Sequence, residues 1–276
     1  MAWRFLDFQR YNAFENMAID EAIFRETIRN KKPPTIRFYG WQPAAVSIGY
    51  FQNIEKEINI EKCHAAGVDI VRRISGGKAV FHCAEVTYSV VACNKEESFP
   101  ADISGTYKII SKCLARGLAG LGIEAVLAET GRTLHDADFK ACCFSVPSSN
   151  ELLVSGRKIC GSAQIRASSG FLQHGSVLMD FDPVKTASFL LPGRTDEQLQ
   201  KLRESVAAVN EEIGKPVDEK EICTSLKKGF TGVLGREIIE ETLTSAEEEL
   251  AGNLIQKYAD SSWNVDRKTF PNKFPK

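Results

Sequence analysis

Apolar residues near the start of the chain fall at helical spacing. In FENMAIDEAIFRETIRN, Phe14, Met17, Ala18, Ala22, Ile23 and Ile28 share one face, which predicts a helix beginning near Asn12. After the break from Lys31 to Pro34 the pattern shortens to β-like runs, TIRFYGW, AVSIGYFQ and VDIVRRI, with a polar helix IEKEINIEKCHAAG between the last two. KAVFH and VTYSVVAC read as two further strands and leave SGGK in a loop. Tyr107, Ile110, Leu114, Leu118 and Leu121 form the stripe of a packing helix that Gly122 ends, ahead of a strand IEAVLA. ELLVSGRKICGSAQI and FLQHGSVLMDF predict a strand, a turn at Ser155-Gly156, a second strand, a Ser/Gly loop and a third strand.

Beyond Pro183 the period changes again. TDEQLQKLRESVAAV opens with a T-x-x-Q capping signal, VDEKEICTSLKKGF is amphipathic, and TSAEEELAGNLIQKYA carries S-x-x-E before its apolar positions. Residues 1–276 are therefore expected to form a single α/β (α+β) domain. Its sheet core spans about 33–182 and a helical C-terminal extension about 195–262, with DRKTFPNKFPK as a loose terminus.

Composition narrows the function classes. The 35 basic and 36 acidic side chains nearly cancel, so no bulk charge favours nucleic acid or an anionic membrane, and a partner must be recognised locally. No signal-peptide pattern opens the chain and no run of ~18 uncharged apolar residues occurs, so a cytoplasmic protein is expected. The cysteines (Cys63, Cys83, Cys93, Cys113, Cys142, Cys143, Cys160 and Cys223) are scattered and mostly lie in apolar runs, as reduced thiols would. With no CxxC knuckle and no accompanying His pair, no metal site is expected.

Two stretches carry candidate chemistry. RRISGGKAVFH, residues 72–82, sets paired arginines and a glycine turn between strands; this suits close backbone approach to an anion or a carbonyl, and equally a plain hairpin with solvated arginines. KACCFSVPSSNELLVSGRKICGSAQ places adjacent thiols upstream of Lys158. A cysteine becomes a nucleophile near neutral pH only when a cation, a helix N-terminus or a base favours its thiolate, and Lys158 or a histidine would supply that field. The same cysteines also read as small core residues. Lys158 lies among small and apolar residues on a strand, where an inward ammonium needs a polar partner such as a bound carbonyl, unless the strand is a solvated edge. His64 and His135 lie in polar surroundings, whereas His82 and His174 adjoin glycine turns at apolar strands and are candidates to face a pocket.

NAFENMAIDEA, RFYGW-P-AVSIGYFQN, VRRISGGKAVFH, GRK-x-x-GSAQ and LQHGSVLMDFD, in this order, resemble the biotin/lipoate protein ligase-type family of cofactor transferases and ligases over about residues 3–265. Within it, C-F-x-x-P-S-x-x-E-L-x-x-x-G-R-K-x-x-G-S-A-Q, met from Cys143 to Gln164, is similar to the Gram-positive octanoyltransferase branch. The resemblance implies a mixed sheet flanked by helices, and octanoyl transfer from acyl carrier protein to a lipoyl-domain lysine of the glycine cleavage H protein type. It implies Cys143 as the acyl-accepting nucleophile and Lys158 as the carbonyl-binding group, with Cys142 in packing. Arg72, Ser75, Gly76, Gly77, Val80, His82, Gly161, Ser162 and His174 are the implied substrate-binding residues. Neither ATP nor a metal is expected, nor a nucleic-acid or membrane partner, and the molecule is expected to be a monomer. An ATP-dependent lipoate ligase, the runner-up, typically has a third glycine after SGG and an H-D-x-G-N run, where this chain has Lys78 and HCAEVTYS. An amidotransferase moving octanoyl between lipoyl domains fits the motif context less well, and a non-enzymatic acyl-chain carrier is the third alternative.

Overall fold

The computed structural model describes residues 2–94, 96–128, 151–190, 193 and 195–266. In chain order the elements are β1 (Trp3–Tyr11), α1 (Ala13–Asn30), β2 (Thr35–Trp41), β3 (Ala45–Ile48), α2 (Ile54–Glu57), α3 (Ile60–Ala65), β4 (Asp69–Arg72), β5 (Val80–His82), β6 (Glu85–Cys93), α4 (Ile103–Ala119) and β7 (Val126–Leu127). There follow β8 (Leu152–Val154), β9 (Arg157–Ala167), β10 (Gly170–Leu178), α5 (Pro183–Leu190), α6 (Asp196–Ser205), α7 (Val209–Ile213), α8 (Glu219–Leu234), β11 (Ile238–Glu240), α9 (Ser245–Ala259) and α10 (Ser261–Asn264).

The main sheet runs β11-β1-β2-β6-β10-β9-β8-β7, parallel across its first three strands and antiparallel from β2 onward. A second, small sheet runs β4-β3-β5. β2 is buried at every position, as a central strand covered on both faces must be. One face of the main sheet packs on α4 and α8 through Phe38, Tyr88, Phe171, Leu114 and Leu226. The other face meets α1 and α9 through Tyr39, Val91, Leu172, Ile23 and Leu254. The small sheet adds a third cluster, in which Val46, Ile48 and Phe81 pack with Leu178, Ala187 and Leu202. The layers therefore leave a seam between the two sheets, and α1 borders it.

The predicted helix at Asn12 is α1. The Asn12 side chain accepts from Phe14 N and Glu15 N while Glu15 accepts from Asn12 N at 3.1 Å, closing a capping box. Thr195 and Gln198 cap α6 in the same way. Several expectations are corrected. The polar segment IEKEINIEKCHAAG is two short helices, because Ile58 turns into the third core cluster in extended conformation and Asn59 then caps α3. The last long helix starts one residue earlier than S-x-x-E implies: Thr244 pairs with Glu247, which is also bound by Arg4. IEAVLA contributes only Val126–Leu127 as strand. The sheet also takes in β1 and β11, from outside residues 33–182. Among the described residues, no helix is long and apolar enough to cross a membrane.

Candidate functional site

The seam holds a slot of about 410 Å³, counting its open mouth. The main sheet supplies Tyr39 and Trp41 from β2, Thr87 from β6, Gly161–Ala163 from β9 and His174–Ser176 from β10. Ser47, Arg73, Gly77, Val80 and His82 come from the small sheet and its loop, and Met17 from α1. The loop reaches the slot because two glycines permit contact of bare backbone: a Cβ on Gly49 would stand 2.0 Å from Gly77 O, and Gly77 has φ +92°.

Two buried polar networks fix this wall. His82 lies flat on Trp41, with ring centroids 4.0 Å apart and planes 13° apart, and its Nδ1 is 2.7 Å from Glu85 Oε1. Glu85 also accepts from Ser176 at 2.6 Å and from Thr87 at 2.5 Å. An ionised carboxylate only accepts, so Nδ1 carries a proton toward Glu85, while Nε2 lies 2.6 Å from Ser47 Oγ. Arg73 donates to that Oγ at 2.6 Å and to the carbonyls of Gly76 and Lys78 at 3.0 Å, tying the glycine loop to the imidazole. Burial works to raise the Glu85 carboxyl, but His82 and the two hydroxyls outweigh it and hold it below the usual carboxylate range.

The second network centres on Asp20 of α1. Arg37 and Ser89 donate to Oδ1 at 2.8 and 2.9 Å, Tyr39 to Oδ2 at 2.8 Å, and His174 Nδ1 lies 3.3 Å from Oδ2. His174 Nε2 accepts from Ser75 Oγ at 2.6 Å. Burial favours the neutral form of His174 more than Asp20 favours the charged one, so its pKa is lowered. Asp20, although burial would raise it, is lowered by Arg37 and His174.

Lys158 has no exposed surface and its Nζ donates to Glu151. A register shift sets Leu152 opposite Cys160 but Leu153 opposite Lys158. Leu152, Val154 and Cys160 belong to the α4/α8 core, so this bulge turns Lys158 to the opposite face, which carries Gly161 and Ala163 of the slot. Lys158 thus lies buried on the slot side of the sheet, paired with Glu151 and outside the residues that line the slot.

Of the implied binding residues, Gly77, Val80, His82, Gly161, Ser162 and His174 stand in the slot wall. Ser75 and Gly76 stand behind it, bonded to His174 and Arg73. Arg72 is a correction. Its guanidinium is fully buried and donates to the carbonyls of Gly49, Tyr50, Gln52, Trp263 and Asn264 at 2.7 to 3.3 Å, so it organises backbone away from the slot, and Arg73 takes the wall position. Cys143, Cys142 and His135 lie outside the described residues. Cys160 belongs to the core, where burial pushes its thiol up to about 12, as it does for Cys113 and Cys223. Such thiols are protonated and inert at neutral pH. Trp41, Ser47, Thr87 and Ser176 were missed by sequence reasoning, although inward alternation on TIRFYGW and EVTYSVV carried a signal for Trp41 and Thr87. Among the described residues no cluster of His, Cys, Asp and Glu is placed to hold a metal.

A family model described as the lipoyl protein ligase A/B catalytic domain matches residues 12–231. Curated proteins named octanoyltransferase LipM are similar along almost the whole length. The one from Bacillus subtilis (strain 168) is 39% identical over 273 residues, covering 96% of this chain and 98% of its own. The one from Symbiobacterium thermophilum is 42% identical over 270 residues, covering 95% and 98%. Among solved structures, lipoate-protein ligase A bound with ATP gives a TM-score of 0.78 at 28% identity over 96% of this chain and 99% of that one. The bipartite lipoate protein ligase from Thermoplasma acidophilum gives 0.80 at 26% identity over 98% of each.

Proposed function

The chain belongs to the lipoyl protein ligase A/B catalytic-domain family and is an octanoyltransferase of lipoate biosynthesis, and from that premise we propose that it takes octanoyl from acyl carrier protein onto Cys143 and passes it to a lipoyl-domain lysine. The thiolate of Cys143, its proton given up to solvent, attacks the carrier's thioester carbonyl, one C–S bond forms as the other breaks, and the carrier leaves as a thiolate that takes a proton from solvent. The acceptor's ε-amine then attacks the new thioester, a C–N bond replaces the C–S bond, and the sulfur of Cys143 recovers a proton. Thioester exchange is nearly isoenergetic and amide formation is downhill, so the sequence needs no ATP and no metal.

The observation that carries this reading is Lys158, a lysine without exposed surface, held by Glu151 on the sheet face that also carries Gly161 and Ala163 of the slot. At that position it suits the oxyanion of a tetrahedral intermediate, and a donor of this kind is worth about 3 kcal/mol. Met17, Tyr39, Trp41, Val80 and Ala163 give the slot apolar wall for the acyl chain. Each buried methylene adds about 0.8 kcal/mol to donor binding. The acceptor is proposed to be a lipoyl domain of the glycine cleavage H protein type, the enzyme to act as a cytoplasmic monomer, and the glycine loop with Arg73 to order the wall as the chain enters.

The test is incubation of the protein with octanoyl-acyl carrier protein without ATP, followed by intact mass spectrometry. The expected result is an octanoyl adduct on the enzyme that moves to an added lipoyl domain. Modification that requires ATP and free octanoate would instead make it a ligase, and octanoyl retention without modification of any lysine would make it a carrier.

A further inference from the structure

Most side chains in the slot wall carry a polar group, yet each of those groups is hydrogen-bonded within the wall or just behind it. Tyr39 donates to Asp20 and Trp41 Nε1 to Thr87, both at 2.8 Å, while Thr87 and Ser176 donate to Glu85. Ser47 Oγ lies 2.6 Å from His82 Nε2 and accepts from Arg73 at 2.6 Å. Ser162 Oγ is 2.6 Å from Tyr88 Oη, and His174 Nε2 is 2.6 Å from Ser75 Oγ. The remaining ring nitrogens of His82 and His174 face Glu85 and Asp20.

An independent observation agrees. Among the described residues, buried side-chain nitrogen and oxygen atoms without a hydrogen-bond partner occur in Trp3, Arg4, Arg25, Thr27, Glu57 and Glu85, and none of these residues lines the slot. The backbones of β2, β6, β10 and β9 behind the slot are joined in one continuous ladder. An occupant beyond the mouth therefore meets the apolar surface of Met17, Tyr39, Trp41, Val80 and Ala163 and polar groups that are already engaged. A hydroxyl carried into such a slot gives up its bonds to water. It gains a new partner only by breaking one of the bonds that Asp20 and Glu85 hold inside the wall, which would leave a buried charge less well satisfied.

We infer that the slot is a polarity filter: it admits a saturated octanoyl chain and rejects a chain of the same length that bears a hydroxyl, such as a hydroxyoctanoyl thioester on the same carrier. This rests on the acyl-transfer reading above and specifies its donor. The selectivity lies in the bonding state of the wall and not in its size, since an oxygen and a methyl group fill nearly the same space. A pocket of this kind discriminates by about a hundredfold against an added hydroxyl.

Carrier protein loaded with octanoyl, 7-methyloctanoyl or 7-hydroxyoctanoyl tests this, because the last two match in volume and differ far from the reacting carbonyl. Each donor is given separately to the unaltered protein without ATP, at subsaturating concentration, and the rate of adduct formation is read by intact mass spectrometry. The expected result is acylation by 7-hydroxyoctanoyl about a hundredfold slower than by 7-methyloctanoyl, and at least about tenfold slower. Met17→Gln and Val80→Thr each add a polar group to the apolar part of the wall. At least one of them, shown by thermal melting to be folded, is expected to narrow the ratio about tenfold. A ratio below about tenfold in the unaltered protein, or an unchanged ratio in both folded variants, overturns the filter while octanoyl transfer stands. Absence of any octanoyl adduct on the unaltered protein overturns the acyl-enzyme reading and this inference with it.

Discussion

Lys158 is paired with Glu151 at a position without exposed surface, so its substitution acts on stability as well as on chemistry. Lys158→Met keeps the apolar stem and removes the ammonium that Glu151 binds; breaking a buried pair on one side costs on the order of 3–5 kcal/mol. Glu151→Leu added to Lys158→Met removes both charges and is expected to recover much of that stability while octanoyl transfer stays at least about a hundredfold down, because the oxyanion partner is still missing. Thermal melting and the adduct assay together check this, and recovery of transfer in the double variant would confine Lys158 to a structural role. At the thiol pair, Cys143→Ala is expected to abolish adduct formation and Cys142→Ala to retain most of it, read by the same mass measurement; the reverse outcome would exchange the two roles. The residues legible in advance were those marked by an unusual type in an unusual place: a lysine in a small-residue strand, histidines next to glycines. Arg72 and Arg73 could not be told apart, since adjacent strand residues face opposite ways and only the folded register decides which one reaches the slot.

Among the elements, α10 has a role out of proportion to its length. Trp263 donates to Arg72 O at 3.0 Å and is buried against Tyr50 and Tyr258, while Arg72 binds the carbonyls of Asn264 and of Gly49, Tyr50 and Gln52. The C-terminal segment thereby fastens the loop on which Gly49 meets Gly77 of the slot. Trp263→Ala is expected to cost about 3–5 kcal/mol of stability and to slow enzyme acylation by loosening that loop. A chemical melt and the acylation rate measure the two effects, and loss of stability with an unchanged acylation rate would separate α10 from the slot. Periodicity made the long elements legible: α1, α4, α8 and the β8–β10 ladder needed only local pattern and turn chemistry. It missed β1 and β11, because their partnership is parallel and spans most of the chain, and three residues such as Ile238–Glu240 carry no period of their own. The bulge that turns Lys158 was invisible for the same reason, being a property of the pairing and not of either strand.

At the scale of the whole molecule, Asp20 joins elements that local sequence leaves unrelated. It stands on α1, takes hydrogen bonds from Arg37 and Tyr39 of β2 and Ser89 of β6, and faces His174 of β10, which holds Ser75 of the glycine loop. Protonation of this centre should therefore loosen the fold and the slot together. His174 is depressed from its ordinary 6.5, so the unfolded chain takes up that proton first and stability begins to fall as pH drops below about 6.5. Asp20 and Glu85 are depressed from 3.8 and 4.5; their contribution is complete above those values and is lost as pH falls through the lower values of the folded state. Urea midpoints should decline gently from about pH 6.5 and more steeply below about pH 4.5. In His174→Gln the upper limb is expected to flatten while the lower one remains, because Glu85 and the Arg37 partnership of Asp20 are untouched. A wild-type midpoint unchanged between pH 7 and pH 5 would mean that His174 folds without giving up its proton, and would remove the imidazole from the chain of contacts that links α1 to the glycine loop.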